Sequence, residues 1–210
     1  MIDWSPPVPD KDKRGKRTGI TSSDCFARNH TDRTVRRALK RWWADSPKRW
    51  VAWLMLNPHK ASASEHDNTT RRLTHFTRSW DDGRYDGWIV VNVYPFVSKR
   101  PECAREKAEW QSKSPEDLVA MDDLQTNLDD IEEIGKMDGI ELKMVAFGVD
   151  QVKEDRKRLD ACLDRIGGKG QHGGGSKLFH CLEPATSEGQ PRHTRGVPDG
   201  ARYIEWERPN

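Results

Sequence analysis

Long apolar runs are what this sequence most clearly lacks. Only 34% of its 210 residues are hydrophobic, and 33% are charged. No eighteen consecutive residues are apolar, and the opening segment MIDWSPPVPDKDKRGKR lacks the apolar stretch of a signal peptide. We therefore expect a cytoplasmic protein with no membrane partner, whose few apolar runs must form the core.

Cysteine is also scarce, and its four copies are widely separated, at Cys25, Cys103, Cys162 and Cys181. This spacing argues against a zinc knuckle and against a disulfide framework, and it favours free thiols in a reducing compartment. No carboxylates and histidines are clustered at metal-ligand spacing. The sequence predicts neither a metal nor another cofactor.

Positive charge is concentrated at one end of the chain. Residues 1–50 carry thirteen Lys and Arg against six Asp and Glu, although the whole chain has a net charge of only +2. This asymmetry is compatible with an anionic partner on one side, or with a solvated helix face and a disordered tail. The segment from Thr31 to Trp43 predicts a helix with a basic face, on which Arg37 and Arg41 are candidate DNA contacts.

The remaining pattern alternates strands and helices. Buried strands are predicted at Arg49–Leu56, Asp86–Phe96, Glu141–Gly148 and Lys177–Leu182, and helices at Asn68–Trp80, Pro115–Lys136 and Val152–Gly168. The alternation predicts an α/β fold, a three-layer α/β/α sandwich with a central, mainly parallel four-stranded sheet. We expect a flexible arm over residues 1–20, a single domain over residues 21–210, and a monomer.

Polar residues follow the predicted strands where a parallel sheet binds its ligands. Asn57, Pro58 and His59 follow the first strand, and Asn92, Tyr94 and Phe96 end the second. The fourth strand is followed, after a loop, by Arg192, His193 and Arg195. Each residue alone is typical of a turn, but together they predict one polar rim.

Several segments carry a family resemblance: MLNPHKAS with DNTTRR, then VVNVYPF, VAFG and GQPRHTRG. They resemble the successive motifs of a bacterial and phage family known as domain of unknown function 1643, over roughly Arg37 to Tyr203. The family's usual Asn-Pro-Ser is here Asn57-Pro58-His59, and its Asp-Pro-Thr is Asp67-Asn68-Thr69. Its Pro-Arg-His-Pro is changed at the last position, where Thr194 follows His193.

The layout is also similar to the uracil-DNA glycosylase superfamily. That resemblance implies a water-positioning role for Asn57, a base-reading role for Asn92 and stabilisation of the leaving base by His193. These roles fit the chemistry of N-glycosidic cleavage, in which the sugar becomes cationic and the departing base anionic. An amide can orient water, and a histidine N–H can hydrogen-bond the oxygen of the base.

Other residues near these motifs have two interpretations each. Tyr94 and Phe96 either stack on an everted base or belong to the core. His59 either contacts substrate and assists Asn57, or is a solvated loop residue. Asp67 either caps the following helix or stabilises the cationic sugar. Arg71, Arg72, Arg192 and Arg195 are candidate phosphate contacts, or else ordinary surface arginines.

These observations lead to a hypothesis and two alternatives. We expect a DNA glycosylase, acting on double-stranded DNA, that excises a modified pyrimidine in antiphage defence. The small polar segment from Lys60 to Asn68 favours a bulky base. The antiphage role, and a hypermodified base of phage DNA such as glucosylated hydroxymethylcytosine, are what the family resemblance implies. The alternatives are a non-catalytic nucleotide- or nucleic-acid-binding module of the same fold, and a metal-dependent nuclease using Asp67, His59 and His193.

Overall fold

The computed structural model describes eight stretches of the chain. They are residues 22–30, 33–59, 61, 66–97, 116–148, 156–167, 178–187 and 189–208, with side chains described outside 22–34 and 116–123. The predicted arm over residues 1–20 lies outside them.

Seven strands and three α-helices make up the described fold. In chain order they are β1 (Ser22–His30), β2 (Arg33–Trp42), β3 (Trp50–Met55), α1 (Asn68–Ser79), β4 (Gly87–Asn92), α2 (Glu116–Gly135), β5 (Ile140–Val145), α3 (Arg156–Ile166), β6 (Phe179–Leu182) and β7 (Tyr203–Trp206). Short 3₁₀ turns occur at Trp80–Gly83 and Thr194–Gly196.

The strands form one mixed sheet in the order β1-β2-β4-β3-β5-β6-β7. The four strands predicted from sequence, β3 to β6, lie side by side and parallel in its centre. Antiparallel strands extend the sheet at both edges. The α/β class is confirmed, but the sheet has seven strands rather than four and is mixed.

The predicted helix from Thr31 to Trp43 is wrong, because this segment contains strand β2. Its backbone pairs antiparallel with β4, from Ala38 opposite Val91 to Trp42 opposite Gly87, and with β1 on its other side. The preceding strand β1 and the sequence-distant strand β4 thus satisfy its backbone groups, and this sheet pairing overrides the local helical pattern.

A β-bulge interrupts β2 at Arg37. In the ladder with β1, Phe26 lies opposite Ala38 while Ala27 lies opposite Arg36, so the register passes over Arg37. A bulge changes which face of the sheet the adjacent side chains take. Here it lets Arg37 reach Asp130 on α2, with 3.0 Å between Nε and Oδ2, while Arg36 contacts the opposite face.

Helices cover both faces of the sheet. On one face α1 packs against β3 and β4, and on the other α2 and α3 pack together over the same two strands. The contacts on the α1 face include Leu73, Phe76, Val51, Trp53 and Val90; those on the other face include Ile131, Ile134, Leu163, Ala52, Leu54 and Ile89. The three predicted helices are confirmed within the described residues.

Threonine hydroxyls on α1 accept hydrogen bonds from buried indole N–H groups. Trp88 Nε1 donates to Thr74 Oγ1 at 3.0 Å, and Trp53 Nε1 lies 3.4 Å from Thr77 Oγ1. Both tryptophans are fully buried, and a buried N–H without an acceptor is costly. This hydrophilic helix therefore satisfies the polar atoms of the aromatic core that it covers.

Candidate active site at the carboxyl edge of the sheet

The ends of β3 and β4 bring two predicted site loops together. Met55 lies opposite Asn92 in the parallel ladder. The pairing continues beyond the strands, because Val93 N donates to Met55 O at 2.8 Å and Tyr94 N donates to Leu56 O at 2.9 Å. Asn57 thus leaves the sheet one residue after a backbone contact with the β4 exit.

His193 reaches the same edge from the other side of β3. The exit of β5 is joined to β3 by a hydrogen bond from Ala146 N to Leu54 O at 3.0 Å. Gly148, with φ of 87°, follows closely, and a Cβ atom built on it would lie 3.8 Å from His193 Cβ. The segment after β6 therefore places His193 beside the end of β5.

Arg72 fastens the His193 segment to α1. Its guanidinium donates to the carbonyls of Thr194, at 2.7 Å, and Val197, and it pairs with Asp199 at 2.5 Å. It also lies over the Phe76 ring, 4.9 Å from the centroid. These contacts assign Arg72 a structural role, so the expectation that it contacts phosphate is not retained.

His193 is a neutral hydrogen-bond donor at physiological pH. Burial and the nearby positive charge of Arg195 lower the pKa of His193 to about 4, against a smaller opposing effect of Asp67. Its Nδ1 accepts a hydrogen bond from Arg195 N at 3.2 Å. A neutral imidazole that accepts at Nδ1 carries its proton on Nε2, and that N–H is available to a ligand oxygen.

Asp67 caps the following helix, which is one of the two roles considered for it, and its second carboxylate oxygen faces His59. Its Oδ1 accepts from Thr70 N at 2.8 Å in a capping box at the start of α1. Its Oδ2 lies 3.7 Å from His59 Nδ1. Burial by itself would raise the pKa of Asp67, but the Thr70 hydrogen bonds and the charges of Arg36 and His59 lower it. The carboxylate is therefore ionised at this edge.

Arg36 is a residue of this edge that the sequence pattern did not identify. It is only 5% exposed, and its Nη1 donates to the carbonyl of Ala61, in the segment between His59 and Asp67. Its charge is one of those that lower the pKa of Asp67. When this segment was interpreted as a helix, Arg36 was one of several equivalent basic residues on its face. The β-bulge that turns its side chain towards Ala61 cannot be recognised from the local sequence.

Asn92 offers an amide that the described protein atoms do not satisfy. It is 1% exposed, and its Nδ2 has no hydrogen-bond partner among the described residues. The backbone carbonyl of Asn92 accepts a hydrogen bond from Nδ2 of the buried Asn127 at 3.0 Å. This bond holds the end of β4 from the α2 side. Asn127 was also missed from the sequence, since it sits inside a regular helical pattern.

Some other buried polar atoms without hydrogen bonds in the described structure belong to the same loops. They are His59 Nδ1, Arg192 Nε and Thr194 Oγ1; further atoms of this kind, such as His180 Nδ1 on β6, lie elsewhere. A buried polar atom left unsatisfied costs about 1–3 kcal/mol, so each needs an explanation, and a bound ligand is one. The atoms at this edge are suited to a polar ligand that supplies both donors and acceptors.

Two aromatic candidates belong to the core. Phe96 is fully buried and packs with Val35 and the partly buried Leu124. Tyr94 is 6% exposed and lies in the cluster on the α2 and α3 side. Base stacking by these rings is therefore not supported, and the core interpretation accounts for both. Pro58 is buried directly after Asn57.

The candidate DNA-binding arginines separate into interior and surface groups. Arg41 is 2% exposed, with its guanidinium 5.9 Å from the Trp88 ring centroid, and Arg37 is ion-paired with Asp130. Neither presents its charge to a phosphate, which corrects that expectation. Arg71 and Arg195 are exposed at the edge, and Arg192 is half-buried.

A separate open cleft of about 790 Å³ runs beside the last turn of α1, away from Asp67. Its walls include Asp81, Asp82, Asp199, Trp80 and Tyr203. Three aspartates line it against one arginine, Arg202, and this balance disfavours a phosphate-bearing ligand. Within the described ranges no three His, Cys, Asp or Glu side chains are grouped to hold a metal ion, and no helix has the length and apolarity to cross a membrane.

A comparison with protein-family models matches residues 36–194 to the family described as "Protein of unknown function (DUF1643)". No curated protein and no solved structure matches the chain significantly.

Proposed function

The chain belongs to the DUF1643 family, and from that premise and the geometry of its carboxyl edge we propose that it is a DNA glycosylase. The reaction would release a modified pyrimidine from double-stranded DNA and leave an abasic site. One observation supports this most: a neutral His193 N–H donor and the unsatisfied amide of Asn92 lie on either side of the strand that delivers Asn57.

The chemistry divides among these three side chains. Asn57 orients the water that attacks C1′ of the sugar. Asn92 hydrogen-bonds the edge of the everted base, and its amide can both donate and accept. When the C1′–N1 bond breaks, its electron pair moves to the base, and His193 Nε2–H donates to the base oxygen on which negative charge develops.

Asp67 supplies a fixed negative charge to the same edge. Its lowered pKa keeps it ionised, so it can stabilise the oxocarbenium character of the sugar while it caps α1. The exposed Arg71 and Arg195 are the arginines placed to contact the DNA backbone beside the site. Arg192, whose buried Nε has no hydrogen-bond partner among the described residues, is assigned a contact with the substrate.

The proposed substrate class is the hypermodified cytosine of phage DNA, which gives the protein an antiphage role. Support comes from the small polar segment between His59 and Asp67 and from the motif order shared with the uracil-DNA glycosylase superfamily. The proposal takes the adjacent parallel strands β4, β3, β5 and β6 as the counterpart of that superfamily's four-stranded sheet. A non-catalytic binding module of the same fold is the alternative.

The test uses phage DNA with glucosylated hydroxymethylcytosine, incubated with the protein in parallel with and without EDTA, and then analysed with and without alkali treatment. A glycosylase gives strand breaks only after alkali. Direct nicking that EDTA abolishes identifies a nuclease, and intact DNA that remains bound identifies a module; either result contradicts the proposal.

Variants connect that activity to the site. We expect Asn57→Ala and His193→Gln each to lower the rate by about 100-fold or more, because each loses an interaction made in the transition state. His75→Gln is the matched histidine control: His75 is exposed on α1, and a glutamine amide can keep its contact with the His193 segment, the 3.0 Å hydrogen bond between Nε2 and Asp199 O. Wild-type rates in the two site variants would remove the assigned roles.

A further inference from the structure

His59 occupies a defined position relative to Asp67 that the proposed reaction does not yet use. The Nδ1 atom of its ring is buried and lies 3.7 Å from Asp67 Oδ2, while the side chain as a whole is 30% exposed. The ring therefore turns its Nδ1 edge inward to the carboxylate. Nε2, on the opposite edge of an imidazole, faces away from Asp67.

The carboxylate is held in place for this contact. Thr70 N and Oγ1 hydrogen-bond Asp67 Oδ1 at 2.8 and 3.1 Å, which leaves Oδ2 for His59. Arg36 donates to the carbonyl of Ala61 and favours the ionised form of Asp67. The other titratable groups close by are His193, which is coupled electrostatically to Asp67, and His66, whose Nδ1 is 3.5 Å from Thr70 Oγ1.

A carboxylate facing Nδ1 favours the tautomer with its proton on Nδ1, and the lone pair of Nε2 is then free to accept a proton. His59 follows Asn57 by two residues, with the buried Pro58 between them restricting the turn. The 3.7 Å separation is longer than a hydrogen bond, and such contacts commonly shorten when substrate binds.

Building on the proposed function, we propose that His59 is the general base of the reaction and that Asp67 is its positioning residue. Nε2 of His59 takes a proton from the water held by Asn57 as the water oxygen bonds to C1′. The C1′–N1 bond breaks, and its electron pair leaves with the base. The imidazolium then returns its proton to solvent or to the departed base, so that no co-reactant is needed.

The experiment measures single-turnover release of base from glucosylated phage DNA by His59→Ala, with and without added imidazole. We expect release to slow by about 100- to 10,000-fold with DNA binding unchanged, and imidazole to restore part of the rate. Asp67→Asn keeps a capping side chain, so we expect unchanged unfolding and a rate lower by roughly tenfold. His75→Ala is the control.

The outcomes separate this inference from the proposed function. If wild-type protein releases no base, both fail. If wild-type protein is active and His59→Ala is equally fast, the role of His59 alone is excluded. A slow His59→Ala that imidazole does not restore but that His59→Gln does would assign His59 a structural role and overturn the inference.

Discussion

His193 illustrates how burial sets the chemistry of one side chain. The backbone N–H of Arg195 occupies Nδ1, and burial lowers the pKa of His193 to about 4, so the ring stays neutral with its proton on Nε2. A neutral N–H donor can strengthen its hydrogen bond as negative charge develops on a leaving base, although it carries no net charge itself. The same burial makes the folded protein sensitive to acid.

We predict a pH-dependent difference in stability between wild-type protein and His193→Gln. Between pH 6.5 and pH 4 the unfolded chain binds a proton at this histidine that the folded state does not bind, so wild-type stability falls as pH falls. Urea unfolding should show that lowering the pH to 4.5 costs wild-type protein about 2 kcal/mol more than the variant.

His75→Gln is the control for that comparison, because His75 is exposed on α1. Its unfolding free energy should follow the wild-type pH dependence. Parallel curves for wild-type protein and His193→Gln would show that His193 is not held neutral by the fold.

At the scale of elements, α1 depends on polar contacts that a helical pattern does not reveal. Thr74 Oγ1 accepts from the indole N–H of Trp88, and Trp53 stacks on Trp80 with ring centroids 5.5 Å apart. The sequence predicted this helix from its capping residue and apolar spacing. The sequence did not reveal that its threonines accept hydrogen bonds from the tryptophans of β3 and β4, which lie beneath them in the fold.

Thr74→Val is expected to lower the free energy of unfolding by about 1–3 kcal/mol, because it keeps the shape of the side chain and leaves the buried indole N–H without its acceptor. Urea unfolding measures the change. Thr69→Val, the same replacement at a half-buried position of the first turn, should change stability by less than about 0.5 kcal/mol. Equal losses in both variants would argue against the indole contact.

Strand β2 marks the limit of local pattern reading. Strands β3 and β4 were predictable because each is a short, mostly apolar run, and both are buried at every position. The segment TVRRALKRW has helical spacing, which does not reveal its actual partners, the preceding strand β1 and the sequence-distant strand β4. The β-bulge at Arg37, which separates the roles of Arg36 and Arg37, is equally invisible.

Arg36→Met tests the hydrogen bond from Arg36 to the Ala61 carbonyl, which the bulge makes possible. We expect faster hydrogen exchange in the peptide that contains Ala61, because the guanidinium no longer donates to its carbonyl, with protection of the central strands unchanged. Lys40→Met is the control on the same strand, since Lys40 lies by Trp42. Unchanged exchange at Ala61 in Arg36→Met would contradict the contact.

At the scale of the whole molecule, the candidate site is assembled from segments far apart in sequence. The ends of β3, β4 and β5 meet at one edge, and Arg72 on α1 holds the loop that carries His193. The order of the parallel strands was sufficient to predict which loops meet. It was not sufficient to predict that Tyr94 and Phe96 turn into the core.

The excess of positive charge in the N-terminal part of the chain is explained partly by buried and paired arginines. Arg36 and Arg41 are buried, and Arg37 is paired with Asp130. These three arginines of the basic N-terminal part therefore hold the fold together instead of forming an exposed face for DNA. Under the proposed function, the contacts to the DNA backbone are assigned to exposed residues at the carboxyl edge, such as Arg71 and Arg195.

The most direct measurement is mass spectrometry of the small molecules released when the protein acts on phage DNA that contains glucosylated hydroxymethylcytosine. The account predicts a free modified base from wild-type protein and none from Asn57→Ala, with both proteins binding the DNA. Release of nucleotides, or of no base by a correctly folded wild-type protein, would contradict it.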